Sequence, residues 1–399
     1  MKFALVSTSL QQTTGYSKVA YNLLKQLRSV EGLELFQFAI HRKTMGMRPA
    51  IEGLVVEDHS DFDFDKLQGF LDKHSIDVVM IYNDIGVILS YMKKINHPRI
   101  WAYLDTIAHG IPPPLLKALG DGAEKIFLFN SYWKSVYNFK QSYVLEHGVD
   151  TDIFKVLPKD KTVQVREQLK IPKDAIVFFN ANRNSRRKRL DLTISAFIQF
   201  RKRNPSKNAM LLLMCGMEGY YNVPAIIQDE IQRWNAPDCS GKIMQIDTLK
   251  HLFTDESMNE FYNITDYGLN TSVGEGYGLT AIEHLTIGKP QIITHLPQYE
   301  SFLSARDVVF VKPFDREYAE TTDFTAGHFP IFSSTHICEA MEIALKKKVN
   351  YSPKSWTSVC KNFLDLVSYE MKNDYKNHHQ SIHNSLRTIE DQVNIPSIP

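Results

Sequence analysis

Along this chain, short runs of consecutive apolar residues alternate with stretches whose apolar positions recur every three to four residues. FALVS (3–7), DVVMIYN (77–83), RIWAYLD (99–105) and KIFLFNS (125–131) read as strands. SKVAYNLLKQLRS (17–29) and DKLQGFLDKH (65–74) carry helical spacing between them. Continuous rather than alternating apolar strands, separated by helices, predict a parallel sheet covered on both faces. The pattern then restarts with VFFNAN (177–182), AMLLLMCG (209–216), DYGLNTS (266–272), PQIITH (290–295) and DVVFVKP (307–313). RLDLTISAFIQFRKR (189–203) and STHICEAMEIALKKK (334–348) supply helices to this second series. The expected fold class is α/β, with two doubly wound domains facing across a cleft and joined near residues 147–161. Their expected bounds are 1–158 and 159–354. SWTSVCKNFLDLVSYEMKNDY (355–375) reads as a long closing helix, and 376–399 as a polar tail.

Composition narrows the partners without naming them. The 399 residues hold 23% charged and 43% hydrophobic side chains, which is ordinary for a globular protein, and the formal net charge is +1. That balance gives no whole-chain argument for nucleic acid or a membrane surface. Four scattered cysteines (Cys215, Cys239, Cys338, Cys360) show no metal-binding spacing and read as reduced thiols. The opening MKFALVSTSL is too short in its apolar run for a signal-peptide core, and no stretch approaches a membrane span. A cytoplasmic location is expected. Without a secretory signal, the Asn-x-Ser/Thr triplets at Asn263, Asn270 and Asn350 read as chance matches.

Turns just after strands are where doubly wound sheets bind ligands. After DYGLNTS comes GEGYGLTAIEHLTIGKP (274–290), with Glu275 in a glycine-rich turn and Glu283 inside the following helix. The alternate glycines let a ligand approach the backbone, and the helix start offers N–H groups to an anion. Two carboxylates flanking such a start suit a sugar nucleotide; the alternative is a tight turn with two solvated acids. NANRNSRRKRLDL (180–192) places Arg183 and Lys188 after another strand, where cations can meet phosphate. Arg186, Arg187 and Arg189 are expected to be solvated. A nucleic-acid-binding loop is the rival, disfavoured by the lack of nearby aromatics. The acidic run DFDFD (61–65) reads as helix-starting charge rather than a metal site.

Taken in order, these segments resemble a retaining glycosyltransferase of the GT-B fold, similar to glycosyltransferase family 4. The resemblance is carried by Thr14-Gly15-Tyr16-Ser17 after the first strand and by Glu146-His147-Gly148-Val149-Asp150 with Phe154. Arg183 and Lys188 in an Arg-x4-Lys arrangement, Glu275 to Glu283 as Glu-x7-Glu, and the segment from Ser355-Trp356 complete it. It implies two Rossmann-like domains, acceptor-side first and donor-side second, with the last helix crossing back to the first. It also implies that Arg183 and Lys188 neutralise a donor diphosphate. Glu275 would contact the donor sugar, Glu283 the ribose hydroxyls, and Gly276, Tyr277, Gly278 and Leu279 would line phosphate and sugar. Gly15 would let the first loop approach the diphosphate. Many members carry a His-Asp pair where this chain has Leu104-Asp105, with His109 following. Asp105 takes the acceptor-side place by default and His109 is second.

The implied reaction moves a hexose from a nucleotide-diphosphate sugar, UDP-glucose by default, to a hydroxyl of a sugar, glycan or other acceptor. It proceeds with retention and without a metal or other cofactor. Rival readings are a sugar-nucleotide epimerase or a phosphorylase on the same fold, and a nucleic-acid-binding or -modifying protein using the 183–189 loop. A Rossmann dehydrogenase is excluded, because STSLQQTTGYS has one glycine where the dinucleotide fingerprint needs three.

Overall fold

A computed structural model describes residues 1–41, 48–107, 110–322 and 325–372. The chain forms two compact units, one of residues 1–148, 318–327 and 354 onward, the other of 149–317 and 328–353.

The first unit begins β1 (Lys2–Thr8), α1 (Gly15–Leu27), β2 (Glu34–Ile40), β3 (Leu54–Asp58) and α2 (Leu67–His74). It continues β4 (Val78–Asn83), α3 (Ile85–Lys94), β5 (Ile100–Leu104), α4 (Pro113–Gly122), β6 (Lys125–Leu128), α5 (Ser131–Tyr137) and β7 (Ser142–Val144). Its seven strands stand in the order β3-β2-β1-β4-β5-β6-β7, so the winding reverses between β1 and β4. Every pairing is parallel; Phe3 to Val6 face Val78 to Ile81 across that reversal. The apolar runs are continuous because both faces are covered. Ala4, Val6, Val79, Ile81, Ala102 and Leu128 join one core with residues of α2, α3 and α4.

The second unit begins α6 (Lys159–Gln168), β8 (Ile176–Asn180), α7 (Leu190–Arg203), β9 (Ala209–Cys215), α8 (Val223–Arg233), β10 (Ile243–Asp247) and α9 (Asp255–Ile264). It continues β11 (Tyr267–Asn270), α10 (Leu279–Thr286), β12 (Gln291–Thr294) and β13 (Val308–Val311). A two-stranded hairpin, β14 (Asp315–Thr322) and β15 (Thr325–Ile331), whose residues 318–327 belong to the first unit, then precedes α11 (Ser334–Ala344) of the second. Six parallel strands run β10-β9-β8-β11-β12-β13, with the reversal between β8 and β11. Neighbouring residues of β8 serve opposite faces. Phe178 packs edge-on to Phe200 of α7 at 5.0 Å between ring centroids, and Phe179 meets Tyr262 of α9 at 5.8 Å.

After α11 the chain returns to the first unit as α12 (Trp356–Lys372). Phe363 of α12 packs edge-on against Phe127 at 5.2 Å and Trp101 at 6.2 Å. A Cβ on Gly148 would stand 2.5 Å from the backbone nitrogen of Trp356, so glycine is what lets the start of α12 lie against this segment. The polar tail expected over 376–399 lies outside the described residues. The DFDFD run does open a helical segment, a 3₁₀ turn at Phe64–Lys66 leading into α2; Asp63 accepts hydrogen bonds from His59 and Lys66, each 2.9 Å.

Candidate functional site

The loops that leave β8 and β11 flank the point where the second sheet reverses, the place where open α/β sheets leave a crevice. A buried polar network holds these two loops together. Asn180 at the end of β8 donates to Thr193 Oγ1 (2.8 Å) and accepts from the Asn182 N–H (2.9 Å). Asn182 in turn donates to Asn270 Oδ1 at the end of β11 (3.2 Å), and Thr271 Oγ1 bonds the carbonyls of Lys188 and Arg189, both at 2.9 Å. Val273 N–H reaches the Arg187 carbonyl at 2.8 Å. Each of these groups would carry a penalty of about 1–3 kcal/mol if buried without a partner, so the network fixes the mutual position of the loops.

Glu275 is 5% exposed and Lys188 8%, and the two form an ion pair through Oε1. Lys188 Nζ also donates to Asn182 Oδ1 at 3.0 Å. Arg187 reaches the same carboxylate through Oε2 at 3.1 Å and donates to the Gly274 carbonyl at 2.5 Å. Gln298 Nε2 holds the Glu275 carbonyl at 2.6 Å. Burial alone would raise Glu275, but the charges of Lys188 and Arg187 outweigh it and hold the carboxyl at about 2. Burial pulls Lys188 down to about 8, Glu275 opposing that and Arg187 and Arg183 adding to it. Arg183 is exposed and bonds none of the described residues. One carboxylate is therefore shared by two cations, and the charge of Arg183 acts on one of them, an excess of positive charge that suits a polyanion.

The expectation of solvated Arg187 and Arg189 is corrected by this geometry. Arg187 is turned inward by the 3₁₀ turn Arg186–Lys188, and the Arg189 guanidinium is bound to Asp191 at 2.8 Å; only Arg186 of the three is exposed. The alternative of two solvated acids is likewise excluded, since Glu283 is 2% exposed. Glu283 sits on α10 and accepts from the Tyr262 hydroxyl at 3.0 Å, a different setting from the cationic one around Glu275.

Gly278 caps α10 with φ +83, a left-handed backbone natural to glycine, and a Cβ there would lie 2.8 Å from Tyr299 Oη. First-turn N–H groups of a helix lack intrahelical acceptors and offer themselves to an anion. Here that start is Leu279, partly exposed, beside buried Gly276. Tyr277 turns its ring onto Phe302, stacked at 4.4 Å, so what it leaves for a ligand is backbone.

In the first unit the reversal between β1 and β4 gathers a second set. Gly15 is exposed at the first position of α1, whose cap is Thr14, its Oγ1 accepting from Ser17 N–H at 3.1 Å. The Tyr16 hydroxyl donates to Asp105 Oδ2 at 2.6 Å, and its ring lies 4.9 Å from that of Tyr82. Burial, and then the charge of Asp105, push the Tyr16 hydroxyl well above its ordinary range, so it remains a donor. Asp84 caps α3 and is raised by burial. His109 lies outside the described residues. Sequence reasoning singled out neither Asn182, nor Gln298, nor the Tyr16–Asp105 bond, and it read Arg187 as solvated. The paired asparagines closing β8 were a readable signal, because amides at a strand end serve loops rather than the core.

No curated protein matches the chain in sequence. Residues 162–321 match the family described as Glycosyl transferases group 1, in agreement with the resemblance drawn from the motifs. Solved structures similar to it over nearly its whole length include a glycosyltransferase from Rickettsia africae ESF-5 (14% identity, 98% of this chain and 97% of that one, TM-score 0.62). Sucrose-phosphate synthase from Thermosynechococcus elongatus is 14% identical over 98% of this chain and 99% of that one, with TM-score 0.64. HepE of Anabaena, solved in complex with UDP-glucose, is 13% identical over 97% of this chain and 100% of that one, with TM-score 0.61. The fold is that of these GT-B glycosyltransferases.

Proposed function

We propose that the protein is a retaining glycosyltransferase that moves a hexose from a nucleotide-diphosphate sugar to an acceptor hydroxyl without a metal. One observation carries the reading: at the reversal of the second sheet, Arg187 and Lys188 hold the carboxylate of Glu275, with the charge of Arg183 acting on Lys188, beside the start of α10. Phosphate needs the excess positive charge and the helix start; a sugar needs a carboxylate that accepts from hydroxyls. The family match over this unit and a structural neighbour solved with UDP-glucose point the same way, with UDP as the first donor to try.

In the proposed reaction the bond between the anomeric carbon and the diphosphate oxygen breaks, and the acceptor oxygen bonds that carbon on the same face. The acceptor proton passes to the departing phosphate, and the nucleoside diphosphate leaves. Lys188 and Arg183 stabilise the charge that develops on it, the work a metal would otherwise do. A carboxyl held at about 2 is a weak base and a poor nucleophile, so Glu275 suits binding of sugar hydroxyls rather than covalent relay. Glu283 is assigned to the ribose, and Asp105, held by Tyr16, to the acceptor side, with His109 second.

The test is donor hydrolysis by purified protein across UDP-, GDP- and ADP-sugars, without acceptor and with EDTA. Slow release of one nucleotide, insensitive to EDTA and lowered about 100-fold or more in Lys188→Ala, is expected. No release and no thermal stabilisation by any of these nucleotides would overturn the proposal. Configuration of the transferred sugar, read by NMR once an acceptor is found, decides retention.

A further inference from the structure

We infer that Arg187 is a positioning residue for the donor sugar, holding Glu275 and its loop in the sugar-binding arrangement while Lys188 is engaged by the diphosphate. This rests on the function proposed above and goes beyond the Arg183 and Lys188 pair that the motif supplies. Residue 187 bonds the 272–275 loop at four points. Its carbonyl accepts from Val273 N–H (2.8 Å) and Ser272 Oγ (3.2 Å), and its Nη1 donates to Gly274 O (2.5 Å) and Glu275 Oε2 (3.1 Å). Lys188 takes the other carboxylate oxygen, Oε1. The two cations are therefore divided between the two oxygens of one acid, and they are not equivalent.

Lys188 carries a compact charge on a flexible stem, and its second bond is to the neutral amide of Asn182. A diphosphate competes directly for that ammonium. Arg187 is anchored at its backbone and at its guanidinium to the very loop it orients, so it has no such freedom. When Lys188 turns to phosphate, Glu275 would lose half of its compensating charge while buried. Arg187 keeps it ionised and keeps Oε2 where it stands, leaving Oε1 to accept from a sugar hydroxyl. The division predicts a separation of effects: loss of Arg187 is felt by the sugar and barely by the nucleotide.

The experiment compares binding of UDP with that of UDP-glucose by calorimetry, and kcat with KM for donor hydrolysis, in the parent, Arg187→Gln and Glu275→Gln. GDP with GDP-mannose and ADP with ADP-glucose are run beside them, and the pair that binds the parent is read. In both variants we expect nucleotide affinity within about threefold of the parent. The extra affinity contributed by the sugar should fall, and kcat should drop at least about tenfold, the scale of one hydrogen bond to a charged group. In the double variant the loss should be no larger than in the worse single variant, because Arg187 acts through Glu275. Equal loss of nucleotide and sugar nucleotide in Arg187→Gln would make Arg187 a phosphate ligand and overturn the inference, as would additive losses or no loss at all. A parent that binds no nucleotide would instead sink the proposed function itself. Melting of the ligand-free variants is recorded. Where Arg187→Gln does not fold, Glu275→Gln alone decides, since loss of nucleotide binding there, or retention of full kcat, contradicts the assigned division.

Discussion

Two cations share the carboxylate of Glu275, and that imbalance sets how the site responds to pH. Lys188 is pulled down to about 8 by burial, with Arg187 and Arg183 adding to the effect and Glu275 opposing it, while Glu275 itself is held at about 2. Nucleoside diphosphate affinity should therefore fall as pH rises through about 8, when Lys188 loses its proton, and show no loss from Glu275 on the acid side until pH nears 2. Calorimetric titration of UDP from about pH 6.5 to 9.5 checks this; a flat profile would contradict it, and Lys188→Ala should abolish the slope. Both groups are lowered on folding, so stability rises with pH through both windows, one acid and one alkaline. Glu275, lowered on folding, adds stability above the ordinary carboxylate range that is lost as pH falls through about 2. Lys188 is also lowered, so the unfolded chain binds its proton more readily, and its burial weighs on folding less as pH climbs from 8 toward its ordinary 10.5. Both residues were legible from their place after strands and from their spacing. Arg187 was not, because Arg186 to Arg189 are alike in composition and only the 3₁₀ turn decides which of them faces inward.

Helix α12 shows at the scale of an element what a periodic pattern reveals and what it hides. Trp356, Cys360, Phe363 and Val367 form its buried stripe, and the next place on that stripe is Glu370, 3% exposed. Its carboxylate meets Arg99 at 2.6 Å, just before β5, and Lys125 at 3.0 Å, the first residue of β6. Glu124 closes the group with bonds to Arg99, Lys125 and the Trp101 indole. Removing one partner of a buried ionic cluster leaves its charges uncompensated, so Glu370→Ala should destabilise the first unit by about 3–5 kcal/mol. Urea denaturation followed by tryptophan fluorescence measures it, and a loss under about 1 kcal/mol would show that the cluster is hydrated. The helix itself was readable, as were the continuous apolar strands. β2, β3, β7 and β10 were not. Gln37 interrupts β2 and is tolerated inside because it donates to Ser7 Oγ at 2.9 Å. The other three are sheet edges, short or half-exposed, where no continuous apolar run is required.

For the whole molecule, the restart of the strand pattern near residue 177 marked a second sheet, and each sheet carries its own reversal of winding with polar side chains gathered there. What the pattern could not supply was the chemical inequality of the two places. The reversal in the first unit collects acids and tyrosines, Asp84, Asp105, Tyr16 and Tyr82; that in the second collects Arg187 and Lys188 around Glu275. On the proposed function a nucleoside diphosphate should bind at the second, and its binding free energy should appear there as added stability. At a ligand concentration of 100 times Kd the gain is about 2.7 kcal/mol. Hydrogen exchange should locate it: amides of 182–190 and 271–282 should exchange more slowly with UDP, since these loops are joined through Asn182, Thr271 and Val273 and respond as one. Protection confined to α1 and the loop before it would move the nucleotide site to the first unit. The positive cluster of the second would then be a structural device that braces two loops, with Glu275 as its counter-ion.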